Sequence, residues 1–175
     1  MVGVIVEGES DEKVLKEIFS KYGLNAEFRQ ARGFNAKKFN SLGRRLKESG
    51  CGKVIILRDT ECKKKEDRRE ELREKINELE RGIEVCFAQC ALEAWLLADE
   101  KAIEAVEGKE VKEIPEPESL KDPKEVMKDI FRKARGFKLG YNAPRHAPKI
   151  AHEMDVGKLE QKCDSFREMI NIARD

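Results

Sequence analysis

Three carboxylates stand at the ends of two apolar segments of the chain. Glu7 directly follows residues 2–6, and Asp59 and Glu61 come just after residues 53–57. Short apolar segments that stop at acids are typical of buried parallel strands whose carboxyl ends open into a crevice. Carboxylate oxygens suit a hard cation such as Mg²⁺, and that cation in turn suits phosphate-ester chemistry.

The spacing of these acids predicts that they face one another. Residues i and i+2 of an extended segment point the same way, so Asp59 and Glu61 are expected to face one cation together. In the strand order 2-1-3-4 of small doubly wound sheets, strands one and three are neighbours, which places Glu7 opposite. Three carboxylates that close require a cation or a raised pKa, and we therefore expect Mg²⁺ or Mn²⁺. The alternative is that these acids cap helices or face water.

The segments that position the acids alternate between strand and helix. A helix is predicted after the first strand with Ser10 as its N-cap, and a second is predicted with Asn35 as its N-cap. Residues 63–81 are expected to form a charged surface helix, and residues 92–98 a buried helix that contains Trp95. Strands are predicted over residues 2–7, 25–31, 53–58 and 83–88. This order predicts an α/β fold, with a mostly parallel four-stranded sheet flanked by helices.

The alternation stops near residue 106. Residues 1–106 are therefore interpreted as an α/β core, and residues 107–175 as a C-terminal loop and helical extension packed on that core. Within the extension, residues 124–134 and 164–173 have amphipathic helical spacing. The stretch between those two helices contains glycines and prolines and is expected to be irregular, with His146 at the surface.

The amino-acid composition limits which partners, redox state and location are expected of the chain. Charged residues make up 41% of the chain and the net charge is +1, so any attraction to nucleic acid must come from local patches. The five cysteines include no CxxC pair, which favours a reduced intracellular protein without a disulfide framework. No apolar run approaches the length of a membrane span and no signal peptide is recognised, so a cytoplasmic location without membrane contact is expected.

Two motifs resemble those of the TOPRIM domain of topoisomerases, primases and overcoming-lysogenization-defect (OLD) type nucleases. Val4-Ile-Val-Glu-Gly-Glu-Ser-Asp11 is similar to its opening motif, and Ile55-Ile-Leu-Arg-Asp-Thr-Glu61 to its second motif. The resemblance spans about residues 2–90 and implies a TOPRIM-like (Rossmann-like) sheet. It also implies that Glu7 is a metal ligand or general acid/base, and that Asp59 and Glu61 bind a divalent cation.

The chain departs from the TOPRIM pattern at two positions. Glu61 stands where a second Asp is usual, and its longer side chain could hold the metal through water. Arg58 stands where an apolar residue is more usual. Its charge could contact phosphate, or it could pair with an acid and lower the metal affinity.

The rest of the chain resembles the uncharacterised family called domain of unknown function 4276 (DUF4276). The likeness rests on Ala91-Leu-Glu-Ala-Trp-Leu-Leu-Ala-Asp99 and on Lys162-Cys-Asp-Ser-Phe166. In OLD-type nucleases further acids can hold a second metal, so the resemblance makes Glu93 a further candidate ligand. The alternative is that Glu93 lies on the exposed side of a buried helix. TOPRIM-like proteins often work beside an ATPase, which implies a possible ATPase partner.

Two stretches without acids predict positive surfaces. Residues 28–47 and 131–151 contain no Asp or Glu, in a chain rich in both. Such surfaces can follow a phosphate backbone, with Phe137 or Tyr141 as stacking groups. The alternative is a solubilising face, or a surface that binds acidic stretches of the same chain. The candidate phosphate-binding residues are Arg32, Lys37, Lys38, Arg58, Arg135, Lys138 and Arg145.

The resulting functional hypothesis is a Mg²⁺-dependent TOPRIM-type nuclease, or another phosphodiester-cleaving enzyme that acts on DNA or RNA. An alternative is a non-catalytic TOPRIM-like module that works with a partner ATPase. A third is a phosphohydrolase acting on a small phosphate ester. No P-loop is present, so ATP hydrolysis by this chain is not expected.

Overall fold

A four-stranded parallel sheet forms the centre of the fold. The computed structural model describes residues 1–135 and 140–175, without the side chain of Arg135. The strands are β1 (Val2–Val6), β2 (Ala26–Gln30), β3 (Lys53–Asp59) and β4 (Ile83–Ala88). All pair in parallel in the order β2-β1-β3-β4, so the predicted α/β fold and strand order are confirmed. The carboxyl ends of β1 and β3 are thereby adjacent.

Apolar residues cover both faces of this sheet. Val4 and Ile55 belong to one buried cluster, whereas Ile5 and Ile56 belong to a second cluster on the opposite face. Strands buried on both faces read as continuous apolar runs, which is why the strands were recognisable in the sequence.

Two helices connect the first three strands. Helix α1 (Glu9–Lys21) begins two residues earlier than predicted, because Gly8 rather than Ser10 is its N-cap. The carboxylate of Asp11 accepts a hydrogen bond from the Gly8 N–H at 3.1 Å and so completes that cap. Helix α2 (Ala36–Glu48) begins after Asn35 as predicted, with the Asn35 side chain accepting from the Lys38 N–H.

The charged segment between β3 and β4 was predicted as one helix, and that prediction was wrong. It forms two short helices, α3 (Lys65–Glu71) and α4 (Arg73–Asn77), that meet at Leu72. Leu72 is 6% exposed and packs into the apolar cluster under α2. The backbone of Leu72, with φ of −100° and ψ of 2°, departs from helical geometry and separates the two helices.

The chain after β4 forms helices that cover the sheet. The buried helix α5 (Leu92–Leu96) places Trp95 in the core as predicted, and α6 (Glu100–Glu107) follows. A loop with a short 3₁₀ turn at Pro117–Ser119 leads to α7 (Pro123–Arg135). Helix α7 corresponds to the first of the two amphipathic segments predicted in the extension, and the last helix of the chain corresponds to the second.

The stretch predicted as irregular contains two more helices. These are α8 (Ala143–Glu153) and α9 (Val156–Lys162), and α10 (Asp164–Arg174) ends the fold. The Asn142 side chain caps α8 by accepting from the Arg145 N–H, at 3.1 Å. The expectation of a surface His146 is also wrong, because His146 is 4% exposed and its ring lies 4.7 Å from that of Phe131.

The two motifs that resemble DUF4276 meet inside the fold. The indole N–H of Trp95 donates to the Ser165 hydroxyl at 2.9 Å, and the Trp95 ring meets Phe166 edge to face at 5.2 Å. Ser165 also bonds to the Glu118 carboxylate in the loop before α7. These contacts hold the extension against the sheet. Within the described residues, no helix is both long and apolar enough to cross a membrane.

Two of the five cysteines lie against each other. The side chains of Cys62 and Cys90 meet between the segments that follow β3 and β4. Main-chain pairing continues beyond both strands, since the Thr60 N–H donates to Ala88 and the Glu61 N–H donates to Cys90. This pairing brings the two cysteines together. The remaining cysteines are free and buried: Cys51, Cys86 and Cys163.

Candidate functional site

A crevice lies at the carboxyl ends of β1 and β3, where the sequence places the acids. It consists of two adjoining cavities of about 130 and 270 Å³. Both cavities are lined by Glu7, Arg58, Asp59 and Lys124. The smaller cavity is completed by Val6, Asp11, Leu57 and Leu92, and the larger one extends past other side chains, which include Glu61, Arg68 and Phe34.

Asp59 stands at the centre of the crevice, at the last position of β3. Its side chain is 29% exposed, and one carboxylate oxygen lies 3.3 Å from the Lys124 ammonium. Burial raises the pKa of Asp59 to about 6; Lys124 opposes this shift, while Asp11 and Glu93 add to it. A carboxyl group whose pKa is raised by burial and by neighbouring acids is characteristic of a functional cluster.

Two further acids face Asp59 from neighbouring helices. Burial raises the pKa of Asp11 in α1, with Glu7 adding to the effect and the Gly8 N–H opposing it. Burial likewise raises the pKa of Glu93 in α5. Glu93 is only 8% exposed, so the alternative that it lies on the exposed side of its helix is wrong.

Lys124 is the part of the crevice that the sequence did not indicate. It belongs to α7 in the C-terminal extension, 65 positions after Asp59. Burial acts to lower the pKa of Lys124, but Asp59, Glu93 and Asp11 outweigh it and raise that pKa. The extension therefore supplies a cation to an acidic group built from the α/β core.

Arg58 and Glu7 form the wall of the crevice nearest β2. The Arg58 side chain is buried, donates to the main-chain carbonyls of Ala31 and Gly33, and stacks 5.0 Å from the Phe39 ring. Its Nη1 lies 3.9 Å from a carboxylate oxygen of Glu7, whose side chain is 55% exposed. Arg58 is thus held rigidly beside an accessible acid, and both line the crevice.

Glu61 does not share the orientation of Asp59. The strand ends at Asp59, and Glu61 adopts a left-handed backbone conformation with φ of +56°. The alternation of an extended segment, on which the prediction rested, therefore does not apply. The Glu61 carboxylate is exposed and pairs with Arg68 at 2.7 Å, although it still lines the larger cavity.

The carboxylates of the crevice are chemically suited to a divalent cation, but their positions fit such an ion less well. Among residues 1–135 and 140–175, no three His, Cys, Asp or Glu side chains are positioned to hold one ion together. Even so, Asp11, Asp59 and Glu93 are desolvated oxygen donors that all face one ammonium. Such a donor set suits Mg²⁺ or Mn²⁺. The metal-binding roles of Glu7, Asp59, Glu61 and Glu93 remain predictions.

The predicted phosphate-binding residues lie in several places. Arg32, Lys37 and Lys38 are exposed around the start of α2, and Arg145 is exposed on α8. None of these four has an ion-pair partner in the part of the chain that the structure describes. Arg145 also lines a separate cavity of about 320 Å³ together with Lys149, His152 and others. Lys138 and the Arg135 side chain lie outside the described residues, as does Phe137.

Tyr141 occupies a position different from the one expected of a stacking residue. Its ring meets Phe131 edge to face at 5.2 Å and lies 6.0 Å from the His146 ring. Its hydroxyl is buried and has no hydrogen-bond partner among the described residues. Burial raises the pKa of Tyr141, and Glu93 and Asp11 add to this effect. The Tyr141 hydroxyl therefore lies within electrostatic range of two acids near the crevice.

Comparison with protein families gives one match. The family described as Domain of unknown function (DUF4276) matches residues 6–172, nearly the whole chain. Comparisons with curated proteins and with solved structures each gave no match. The family match covers both the α/β core and the extension, so it includes the acids and Lys124.

Proposed function

Because the chain belongs to the DUF4276 family, whose description names no activity, we propose its function from the crevice itself. The proposed activity is Mg²⁺-dependent cleavage of phosphodiester bonds in nucleic acid, by a nuclease of TOPRIM type. The observation that carries this proposal is the group of desolvated carboxylates around Asp59, at the edge where β1 and β3 end. Ligand sites of parallel α/β sheets occur at such a point.

The proposed roles follow from where each side chain lies. Asp59 is the central ligand, and Glu93 approaches the same position from α5. Glu61 would join them after releasing Arg68. Glu7, exposed in the crevice, shares the ion or moves a proton. Mg²⁺ or Mn²⁺ bound there would supply a Lewis acid for a phosphoryl oxygen.

The basic residues would position the strand. Arg58 lines both cavities, and its Nη1 is buried with no hydrogen-bond partner among the described residues, so it can donate to a phosphate oxygen. The exposed Arg32, Lys37, Lys38 and Arg145 would contact the backbone farther away. Arg135 and Lys138 belong to the same proposed set.

Asp59→Asn tests this proposal directly. The variant should lose Mg²⁺-dependent cleavage of labelled single-stranded DNA, duplex DNA and RNA, because it removes the central anionic ligand. Glu84→Gln is a matched control, since Glu84 is an exposed acid within β4 and away from the crevice. Cleavage that persists in Asp59→Asn would rule out this site as the source of the activity.

One observation favours a second candidate, a non-catalytic module that works with a partner ATPase. Lys124 already supplies positive charge to the acids, and no three carboxylates within the described residues are arranged around a common point. Titration of Mn²⁺ by calorimetry separates the candidates, with the wild type compared against Glu7→Gln. Absence of binding near millimolar concentration would favour the module.

A further inference from the structure

The ammonium of Lys124 pairs with Asp59 and lies within electrostatic range of two further carboxylates of the crevice. Its Nζ is 3.3 Å from an oxygen of Asp59, and it interacts electrostatically with Asp11 and Glu93 as well. The acids come from β3, α1 and α5, whereas Lys124 comes from α7. One ammonium therefore serves acids from three elements of the core.

The position of Lys124 in its helix works against its own charge. It is the second residue of α7, and a cation in the first helical turn is disfavoured by the helix dipole. Among the described residues, Asp59 is the only ion-pair partner of Lys124. Attraction to the carboxylates therefore holds the Lys124 ammonium at the crevice.

The Lys124 side chain is also able to move away from Asp59. Its side chain is 52% exposed, in contrast to the 29% exposed side chain of Asp59. A flexible four-carbon chain that is half exposed can turn into solvent without disturbing the core. Lys133, farther along α7, is exposed and lines a separate cavity, so it provides a comparable lysine away from Asp59.

We propose that Lys124 is an internal counter-ion that competes with the divalent cation for Asp59, so that metal binds only when this ammonium moves out. The inference rests on the proposed function, because it assumes that the crevice takes a metal. An ammonium and a divalent ion repel each other, so each weakens the binding of the other at the same carboxylate. The position of α7, in the extension, then sets the metal affinity of the core.

The test is Mn²⁺ binding to the full chain, measured by calorimetry. Lys124→Ala and Lys124→Gln should each bind Mn²⁺ about tenfold more tightly than the wild type, or better, since both remove the competing charge. Lys124→Arg should remain close to the wild type because it keeps a cation. Lys133→Ala, the matched control farther along α7, should change the affinity less than about twofold.

A second measurement does not depend on calorimetric heat. Mn²⁺ should raise the melting temperature of Lys124→Ala more than that of the wild type, because tighter binding stabilises the folded state more. Equal or weaker Mn²⁺ binding by Lys124→Ala would overturn the inference and leave the proposed metal site standing. Absence of binding to the wild type and to both neutral variants would overturn the inference and the metal site together.

Discussion

Replacing Asp59 by asparagine should stabilise the metal-free protein at neutral and alkaline pH. Burial raises the pKa of Asp59 to about 6 from an ordinary value of 3.8, so the fold favours the protonated form. This contribution to stability is complete below about pH 3.8, and it is lost as the pH rises through about 6. Asparagine has a similar shape and stays neutral at every pH.

The size of the effect follows from the two pKa values. The difference between about 6 and 3.8 corresponds to about 3 kcal/mol, at about 1.4 kcal/mol per pKa unit. At pH 8 the free energy of unfolding of Asp59→Asn should exceed that of the wild type by up to this amount. For a chain of this size, that is a melting temperature higher by about 6–12 °C. At pH 4 the two proteins should differ little.

Urea unfolding with EDTA present, repeated from pH 4 to pH 8, measures this difference. Glu84→Gln serves as the control, because its side chain is exposed and its stability should follow the wild type within about 0.5 kcal/mol at each pH. Equal stability of Asp59→Asn and the wild type at pH 8 would refute the conclusion that Asp59 is desolvated. A stability difference that does not change with pH would refute it as well.

Three further substitutions test other parts of the fold and surface. Gly43→Ala should change the free energy of unfolding by less than about 1 kcal/mol, because the helix propensity gained within α2 offsets the shift of the Ile83 Cδ1 methyl that lies 2.6 Å from the added Cβ; a loss of several kcal/mol in urea would contradict this balance. Arg58→Met should cost about 2–3 kcal/mol by leaving two main-chain carbonyls without donors, and an unchanged melting temperature would disagree. The double variant Arg145→Ala with Lys149→Ala should keep its stability but bind labelled duplex DNA more weakly, with a salt slope smaller by about 2. A wild-type slope would mean that the strand does not follow α8.

The strands were predictable because their signal is local. Each is a short apolar run, and a parallel sheet buried on both faces requires such runs. Asn35 could likewise be assigned as a helix cap from its residue type and position. The position of Asp59 at a strand end followed from the same patterns.

Helix α8 was missed because its prolines were given too much weight. Pro144 lies in the first turn of α8, where no intrahelical N–H is required, so it does not prevent the helix. Pro148 lies within the helix. Asn142 before the helix was the available signal, since its side chain caps α8.

The composition of the crevice could be predicted only in part. Asp11 carries a local signal, because it lies in the first turn of α1, shortly after Glu7, but acids in first turns are commonly explained by the helix dipole alone. Lys124 carries no local signal, since only the tertiary fold brings α7 to the end of β3. The orientation of Glu61 was missed because its positive φ depends on main-chain pairing with Cys90.

The bond between Trp95 and Ser165 bears on how the chain can be divided. It joins the helix that follows β4 to the last helix, and Glu118 in the loop before α7 shares the same hydroxyl. A fragment ending near residue 106 would therefore expose a broad apolar surface and lose Lys124 at the same time. Mixing two separately expressed fragments, divided near residue 106, would not by itself re-form the crevice. The charge of the crevice depends on the intact chain, because Lys124 comes from α7. Cleavage in the loop before α7 would alter that charge, although every acid of the crevice would remain in place.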